Sequence, residues 1–426
     1  MRSTELVEAV RRGDAEAAGE LLAGGADPET CDPADGLPLL CAAVAAYDAK
    51  LAEALVGVGA DPLRPLPDGG SPLLRAVDGG STAVTSALLP ETVGLTSAQR
   101  AELLDRARFW TGADLEAELR RRTGVPGPAV RERVEDPDGY CHYEQITLGG
   151  LTVRDGHAGV LILLEERFGT GAPFDEVLAR ALVRPDRDHA VWTEAVVRLS
   201  WRRHEPTWAA AAALRDHPDR LRRLFAADLL RLMAVSDPLD GSRASAGQNF
   251  ALFFPWASTE EDPEVLALVL DAAADEGEEH AEEIGALGLR YATHPDPRVR
   301  CEVPSALFRW RAGGEGAQTR SARLDALYAL ARDPDRAVRE RAAYQLTHVV
   351  EEAPGIEDVL AGLLDDELRE TRVHAARGLA LHGDPRCVEA ARRLRPLVPD
   401  AWPDDDLMRA MWRYEEAATR TVPDPD

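Results

Sequence analysis

Gly25-Ala26-Asp27-Pro28 returns as Gly59-Ala60-Asp61-Pro62, 34 residues later, and the turn Asp35-Gly36 returns as Asp68-Gly69, 33 residues later. Self-similarity at such a period marks a chain of stacked units, each too small to bury its own apolar face. Two short apolar stretches precede each run: Leu6 to Val10 and Ala15 to Leu22, then Leu39 to Ala46 and Ala49 to Val56. Each unit therefore reads helix, turn, helix, loop. Gly supplies the positive φ needed past a helix end, and Asp-Pro sets an extended exit. A third unit opens at Ser71-Pro72-Leu73-Leu74 and closes at Ala87-Leu88-Leu89. Ser97 to Arg108 and Thr111 to Arg122 read as two further amphipathic helices, with Thr111 or Asp114 near an N-cap and Gly124 as the stop.

Leu37-Pro38-Leu39-Leu40-Cys41-Ala42 and Ser71-Pro72-Leu73-Leu74-Arg75-Ala76 stand where ankyrin repeats carry Thr-Pro-Leu-His-x-Ala, and the Gly-Ala-Asp endings match as well. Residues 4 to 90 thus resemble ankyrin repeats, although the His is missing from both runs. The resemblance implies protein binding rather than catalysis. Two full units and a partial third are close to the minimum of about three that a stable array needs. The array is expected to lean on the helices beyond residue 90.

Gly124-Val125-Pro126-Gly127-Pro128 and Glu135-Asp136-Pro137-Asp138-Gly139 enclose a Pro/Gly-rich segment that places a boundary near residues 125 to 140. Beyond it, Ile146-Thr147-Leu148-Gly149-Gly150-Leu151-Thr152-Val153 reads symmetrically about Gly-Gly, pairing Leu148 with Leu151, Thr147 with Thr152 and Ile146 with Val153. That is the pattern of a short β-hairpin, which must pack on neighbouring helices to be stable. Further on, an apolar-Arg-x-x-Ala-x-x-x-Leu start recurs behind Asp/Pro turns at Val299-Arg300, Val338-Arg339 and Thr371-Arg372, with a small or apolar residue four places on and leucine eight places on. Val191, Leu221 and Val265 start similar stripes. This spacing buries one helical face. The region resembles HEAT repeats of the phycobilin-lyase-like kind over about 260 residues. Asp216 and Arg222, Asp333 and Arg339, and Asp366 and Arg372 are each six apart, and the resemblance implies that such pairs knit repeat to repeat as a ladder, interrupted at His294 and Trp192.

With 426 residues, 45% hydrophobic and 29% charged, the chain has ample material for a core. A formal charge of −26 repels phosphate backbones and anionic lipid, so nucleic acid is an unlikely ligand. No stretch reads as a signal peptide or membrane span. Five scattered cysteines, Cys31, Cys41, Cys141, Cys301 and Cys387, form no Cys-x-x-Cys pair, which points to a reducing cytoplasm and against a zinc site. One lysine, Lys50, against 48 arginines is the mark of a high-GC bacterial genome.

Two charged stretches stand out. Residues 198 to 231 hold eight arginines, including Arg198, Arg202 and Arg203, against Glu205, Asp216, Asp219 and Asp228. Between Arg243 and Arg290 there is no Lys or Arg but eleven carboxylates, among them Glu276, Glu278, Glu279, Glu282 and Glu283. Arg198, Arg202, Arg203 and those five glutamates are the candidate partner-binding residues, and the acidic set calls for a basic partner. Chemistry is harder to find. In Tyr140-Cys141-His142-Tyr143 adjacent side chains point apart and no second ligand lies at a zinc spacing. His204-Glu205 and Glu279-His280 resemble the iron-holding pairs of HEAT-like deoxyhypusine hydroxylases, a family that needs four motifs in His-Glu order. Neither a phosphate loop nor a nucleophile elbow is present. Phe250, Phe253, Phe254 and Trp256 read as core.

The sequence thus implies an all-α chain of two joined α-solenoids: ankyrin-like repeats with a helical cap over 1–124, a junction with a short β-hairpin over 125–155, and a HEAT-like solenoid over 156–420. The expected function is a cytoplasmic, non-catalytic scaffold binding a protein or peptide, without cofactor or membrane. The alternative is a HEAT-like nucleic-acid-binding or base-modifying enzyme that works from the arginine-rich helices.

Overall fold

A computed structural model describes residues 2–91, 93–136, 140–202, 205–236, 246–275, 280–308, 317–349 and 353–420. The described chain is mostly helical, with one three-stranded sheet. It divides into two compact units, Met1–Ala210 and Ala211–Asp426.

The first unit opens with α1 (Arg2–Arg11), α2 (Ala15–Ala23), α3 (Leu39–Ala45), α4 (Ala49–Gly57), α5 (Pro72–Gly79) and α6 (Thr82–Ala87). Local chemistry sets their starts. Asp14, Asp48, Ser71 and Ser81 each accept an amide N–H two or three residues into the following helix. Gly25 and Gly59 take the positive φ that the Gly-Ala-Asp-Pro runs require, at 86° and 109°. Next come α7 (Ser97–Gly112), begun by a Thr96/Gln99 capping box, and α8 (Leu115–Thr123), capped by Asp114 and ended by Gly124 at φ 68°.

The sheet comes after α8: β1 (Val130–Glu135), β2 (His142–Leu148) and β3 (Leu151–Arg154), antiparallel in that order. The hairpin has the register that the Gly-Gly symmetry implies, with Ile146 opposite Val153 and Leu148 opposite Leu151. Its Ile146, Leu148 and Val153 bury against Trp110 and Leu119, so the sheet is held by α7 and α8. The Tyr47 hydroxyl lies 3.1 Å from the Gly79 carbonyl and 3.0 Å from that of Thr152. The Pro/Gly-rich stretch thus lies inside the first unit, whose helices continue as α9 (His157–Arg167), α10 (Phe174–Leu182) and α11 (Ala190–Trp201); the unit boundary falls within α12 (Glu205–Ala212). The apolar core of α1 to α7 runs on without interruption into Val160, Leu161, Leu163 and Leu164 of α9.

The second unit alternates two layers. One comprises α13 (Arg220–Ser236), α15 (Pro263–Ala274), α17 (Pro297–Phe308), α19 (Arg336–Leu346), α21 (Arg369–Leu381) and α23 (Asp404–Arg420), each packed on the next. The other comprises α14 (Ala246–Thr259), α16 (Ala281–Tyr291), α18 (Ala317–Leu330), α20 (Ile356–Gly362) and α22 (Arg386–Arg393), each packed on the first-layer helix that comes after it. The four-residue stripes supply the seam: Val265, Val299, Val303, Leu307, Val338, Ala342, Leu346, Ala375 and Leu379 are fully buried. Phe253 and Trp256 are core as well.

Candidate functional site

The two charged stretches of the sequence meet in part, through Arg220, Arg223 and Arg231. Arg223 grips Glu260 with Nε and Nη2 at 2.9 and 3.0 Å, and Arg220 reaches Asp262 at 2.8 Å and Glu264 at 2.7 Å. Arg231 meets Asp271 at 3.2 Å. These contacts join α13 to α15 and the turn before it, so the end of the basic run and the start of the acidic run face each other across one helix-helix interface. A charge run in a sequence therefore does not have to be a charged surface.

The same geometry recurs downstream. Nε and Nη2 of Arg300 donate to Asp333 at 2.7 and 2.8 Å, while its Nη1 donates to the carbonyls of His294 and Pro295 at 2.8 and 3.0 Å. Arg339 does likewise, with Nε on Asp366 at 2.6 Å and Nη1 on the carbonyls of Asp333 and Pro334. The six-residue spacing thus fixes each arginine to a carbonyl of its own turn, and the carboxylate comes from the turn after. The register in α13 differs from the Asp216/Arg222 pair that the spacing implied. Arg223 takes the rung, with Nη1 on the His217 carbonyl at 2.9 Å, whereas Arg222 stands 3.9 Å from Asp219 and Asp216 pairs with Arg215.

Arg198 of α11 bonds Glu194 one turn back and lies 4.7 Å above the Trp201 ring. Arg202 holds Glu166 and the Ala172 carbonyl, the latter at 2.7 Å. Each guanidinium is thus already paired with a carboxylate of its own chain. Glu282 and Glu283 are exposed in the first turn of α16, where the helix dipole favours carboxylates. Arg203, Glu276, Glu278 and Glu279, with His204 of the His-Glu pair, lie outside the described residues.

The first unit has an open cavity of about 500 Å³ between β1, β2 and the 183–186 loop. His189 at its wall accepts the Val191 amide on Nδ1 at 3.2 Å, capping α11, so Nε2 carries the proton and lies 3.0 Å from Asp155. Asp155 also accepts the Glu144 amide at 2.8 Å and has Arg184 at 3.2 Å. Burial opposes its ionisation, but the His189 bond and the nearby cations win and hold the carboxyl below its usual range. His142 Nε2 sits 3.3 Å from Asp186. With both nitrogens committed, His189 positions the α11 start and the Asp155 carboxylate; it has no lone pair left for base catalysis. The thiols of Cys41, Cys141 and Cys387 are pushed up to about 11 and that of Cys301 to about 12, by burial first, which leaves them protonated and poor nucleophiles. Among the described residues no group of three His, Cys, Asp or Glu is placed to hold a metal ion.

A row of aromatic rings crosses the second unit. Phe308 of α17 meets His348, just past the end of α19, at 5.8 Å between ring centroids. His348 meets Tyr344 at 4.7 Å, Tyr344 meets His374 of α21 at 5.3 Å, and His374 meets Trp402 at 5.3 Å. Tyr344 also approaches Trp402 at 6.3 Å. This aromatic row spans three successive first-layer helices and ends on Trp402, which is 63% exposed. Glu340 is 3.2 Å from His374, and Arg377 is 3.4 Å from Asp406 beside it. The five aromatic residues are scattered over nearly a hundred positions, with no local motif to announce them; only the helical register of α19 and α21 places them on one face.

No family model and no curated protein matches the chain. Among solved structures, the X-ray structure of YibA from Escherichia coli is similar at 17% identity, covering 59% of this chain and 88% of that one with a TM-score of 0.42. So slight a likeness carries no argument. No helix among the described residues is long and apolar enough to cross a membrane.

Proposed function

We propose that the chain is a non-catalytic interaction scaffold of two α-solenoids, ankyrin-like helix pairs to about residue 124 and HEAT-like hairpins over 156–420, that binds a protein or peptide in the cytoplasm. The observation that carries this reading is the aromatic row from Phe308 to Trp402. Binding surfaces concentrate their energy in a few aromatic anchors, and Trp402, which is largely exposed and lies 6.3 Å from Tyr344, is such an anchor. The nucleic-acid alternative loses its motive, because Arg198, Arg202, Arg220, Arg223 and Arg231 already hold carboxylates of this chain.

Cross-linking from a photoreactive residue at Val398, with capture of the tagged full chain, tests the reading. A defined protein is expected at near-stoichiometric yield, and Trp402→Ala should reduce it at least tenfold while leaving the helical circular dichroism unchanged. Equal yields from both proteins, or no cross-linked protein at all, would overturn it.

A further inference from the structure

Arg223, Arg300 and Arg339 share one geometry: Nη1 on carbonyls of the preceding turn, Nε and Nη2 on a carboxylate of the next one. Arg372 of α21 begins in the same way. Its Nη1 donates to the carbonyls of Asp366 at 2.6 Å and Glu367 at 3.0 Å, six and five residues back, as in Arg300 and Arg339. Those are its only hydrogen bonds among the described residues, and no carboxylate there takes its other donors. The acidic residue that the next segment supplies, Asp404, is held instead by Arg369 at 2.7 and 2.8 Å and by the Val398 amide at 2.9 Å.

The guanidinium lines a cavity of about 310 Å³ with Arg393, Leu364, Ala390 and Leu394. The two carboxylates at its rim are already paired. Asp366 serves Arg339 at 2.6 Å, and Asp365 serves Arg393 at 2.6 Å. The site thus combines a guanidinium fork fixed by two carbonyls, a second guanidinium paired with Asp365, and a mainly polar wall that Leu364, Ala390 and Leu394 complete.

We propose that this cavity binds a carboxylate, the side chain of an Asp or Glu on a partner protein, which completes the last rung as Asp333 and Asp366 complete the earlier ones. A planar fork matches a carboxylate in two parallel bonds, and anchoring Nη1 beforehand removes part of the ordering cost. With Asp365 and Asp366 at the rim, a singly charged carboxylate is repelled less than a phosphate dianion would be. The protein source of the carboxylate rests on the scaffold reading; the site itself rests on the rung geometry.

The probe is acetyl-Ala-Arg-Asp-Pro-Asp-amide, a copy of residues 331–335, the turn that serves Arg300. It is titrated into the isotope-labelled full chain while the arginine Nε–H resonances are monitored. One resonance, absent in Arg372→Lys, should shift saturably. The peptide with Asn in place of its first Asp should bind at least tenfold more weakly. Arg393→Gln should weaken binding two- to fivefold. Free succinate at a comparable midpoint would assign the site to small dicarboxylates and retain the carboxylate chemistry. Equal binding of the Asn peptide or of inorganic phosphate, or a shift that persists in Arg372→Gln, would overturn the proposal. Should the Arg372 variants fail to fold, the Asp/Asn comparison on the unaltered chain decides alone. Loss of this site with the Trp402-dependent cross-link intact sinks this proposal only, and the reverse result sinks only the scaffold reading.

Discussion

The arginine-rich stretch 198–231 and the acidic stretch that begins at Glu260 look like opposite surfaces in the sequence, and the structure treats them differently. Arg198, Arg202, Arg215, Arg220, Arg223 and Arg231 all stand within ion-pair distance of a carboxylate. On the acidic side Glu260, Asp262, Glu264 and Asp271 are used in the same way, but Glu282 and Glu283 remain exposed on α16. The difference comes from numbers. In a chain with 75 acidic and 49 basic residues, carboxylates outnumber the arginines that could pair with them. Arg220, Arg223 and Arg231 of this run join helices, whereas Glu282 and Glu283 are surface charge.

The largest effect should come from Glu260. Its buried carboxylate receives Nε and Nη2 of Arg223, the Trp256 indole N–H at 3.0 Å, and the amides of Glu261 and Asp262 at 3.1 and 2.9 Å. Glu260→Ala orphans all of these donors and should cost about 3 kcal/mol of stability in urea unfolding. Arg222→Gln, one residue from the rung, should cost less than about 0.5 kcal/mol. Similar losses from the two would erase the distinction between interface and surface arginines.

That distinction also marks what the sequence could disclose. The buried stripe is legible, because Val299, Val303 and Leu307 and their counterparts obey a helical period that only a core imposes. The hairpin register is legible from the symmetry about Gly149-Gly150. β1 is not: Val130-Arg131-Glu132-Arg133-Val134-Glu135 is largely exposed, carries four charges and comes after a Pro/Gly-rich run, so it reads as linker and becomes a strand only by pairing with β2. The α13 rung slips by one residue because Arg222 and Arg223 are adjacent, and only backbone geometry decides which reaches Glu260. The sites are the least legible part. Phe308, Tyr344, His348, His374 and Trp402 meet through tertiary packing, and that the fork of Arg372 meets no carboxylate among the described residues is visible only once its neighbours' acceptors are known.

An intermediate effect should come from a carboxylate inside the interface that is poorly compensated. Glu302 of α17 is pushed up to about 7, by burial first and then by the nearby Asp271, with Arg341 at 3.1 Å offsetting only part of this. Because its folded value lies above the ordinary glutamate value, its contribution to stability is intact below about pH 4.5 and is lost as pH rises through about 7. Glu302→Gln removes that penalty. The stability of the variant relative to the parent should rise between pH 5 and pH 8, by on the order of 1 to 2 kcal/mol. A difference that stays flat with pH would mean that Arg341 compensates Glu302 as fully as Arg223 compensates Glu260.

The smallest effect on folding should come from the exposed remainder. Glu282 and Glu283 project from α16 beside Ile284 and Leu287, which are buried and hold the helix in place. Replacing both glutamates by glutamine gives up only a favourable dipole interaction in the first turn, so stability should change by less than about 1 kcal/mol. Their field acts at a distance instead. Exposed carboxylates steer a basic partner and raise its association rate, with screening over roughly 8 Å at physiological salt. The double variant should therefore slow association with a basic partner at low salt, converge with the parent at high salt, and leave dissociation unchanged. An association rate that does not differ at any salt concentration would assign these carboxylates to solubility alone. A cooperative loss of helicity would show instead that they are tied into the helix stack like Glu260.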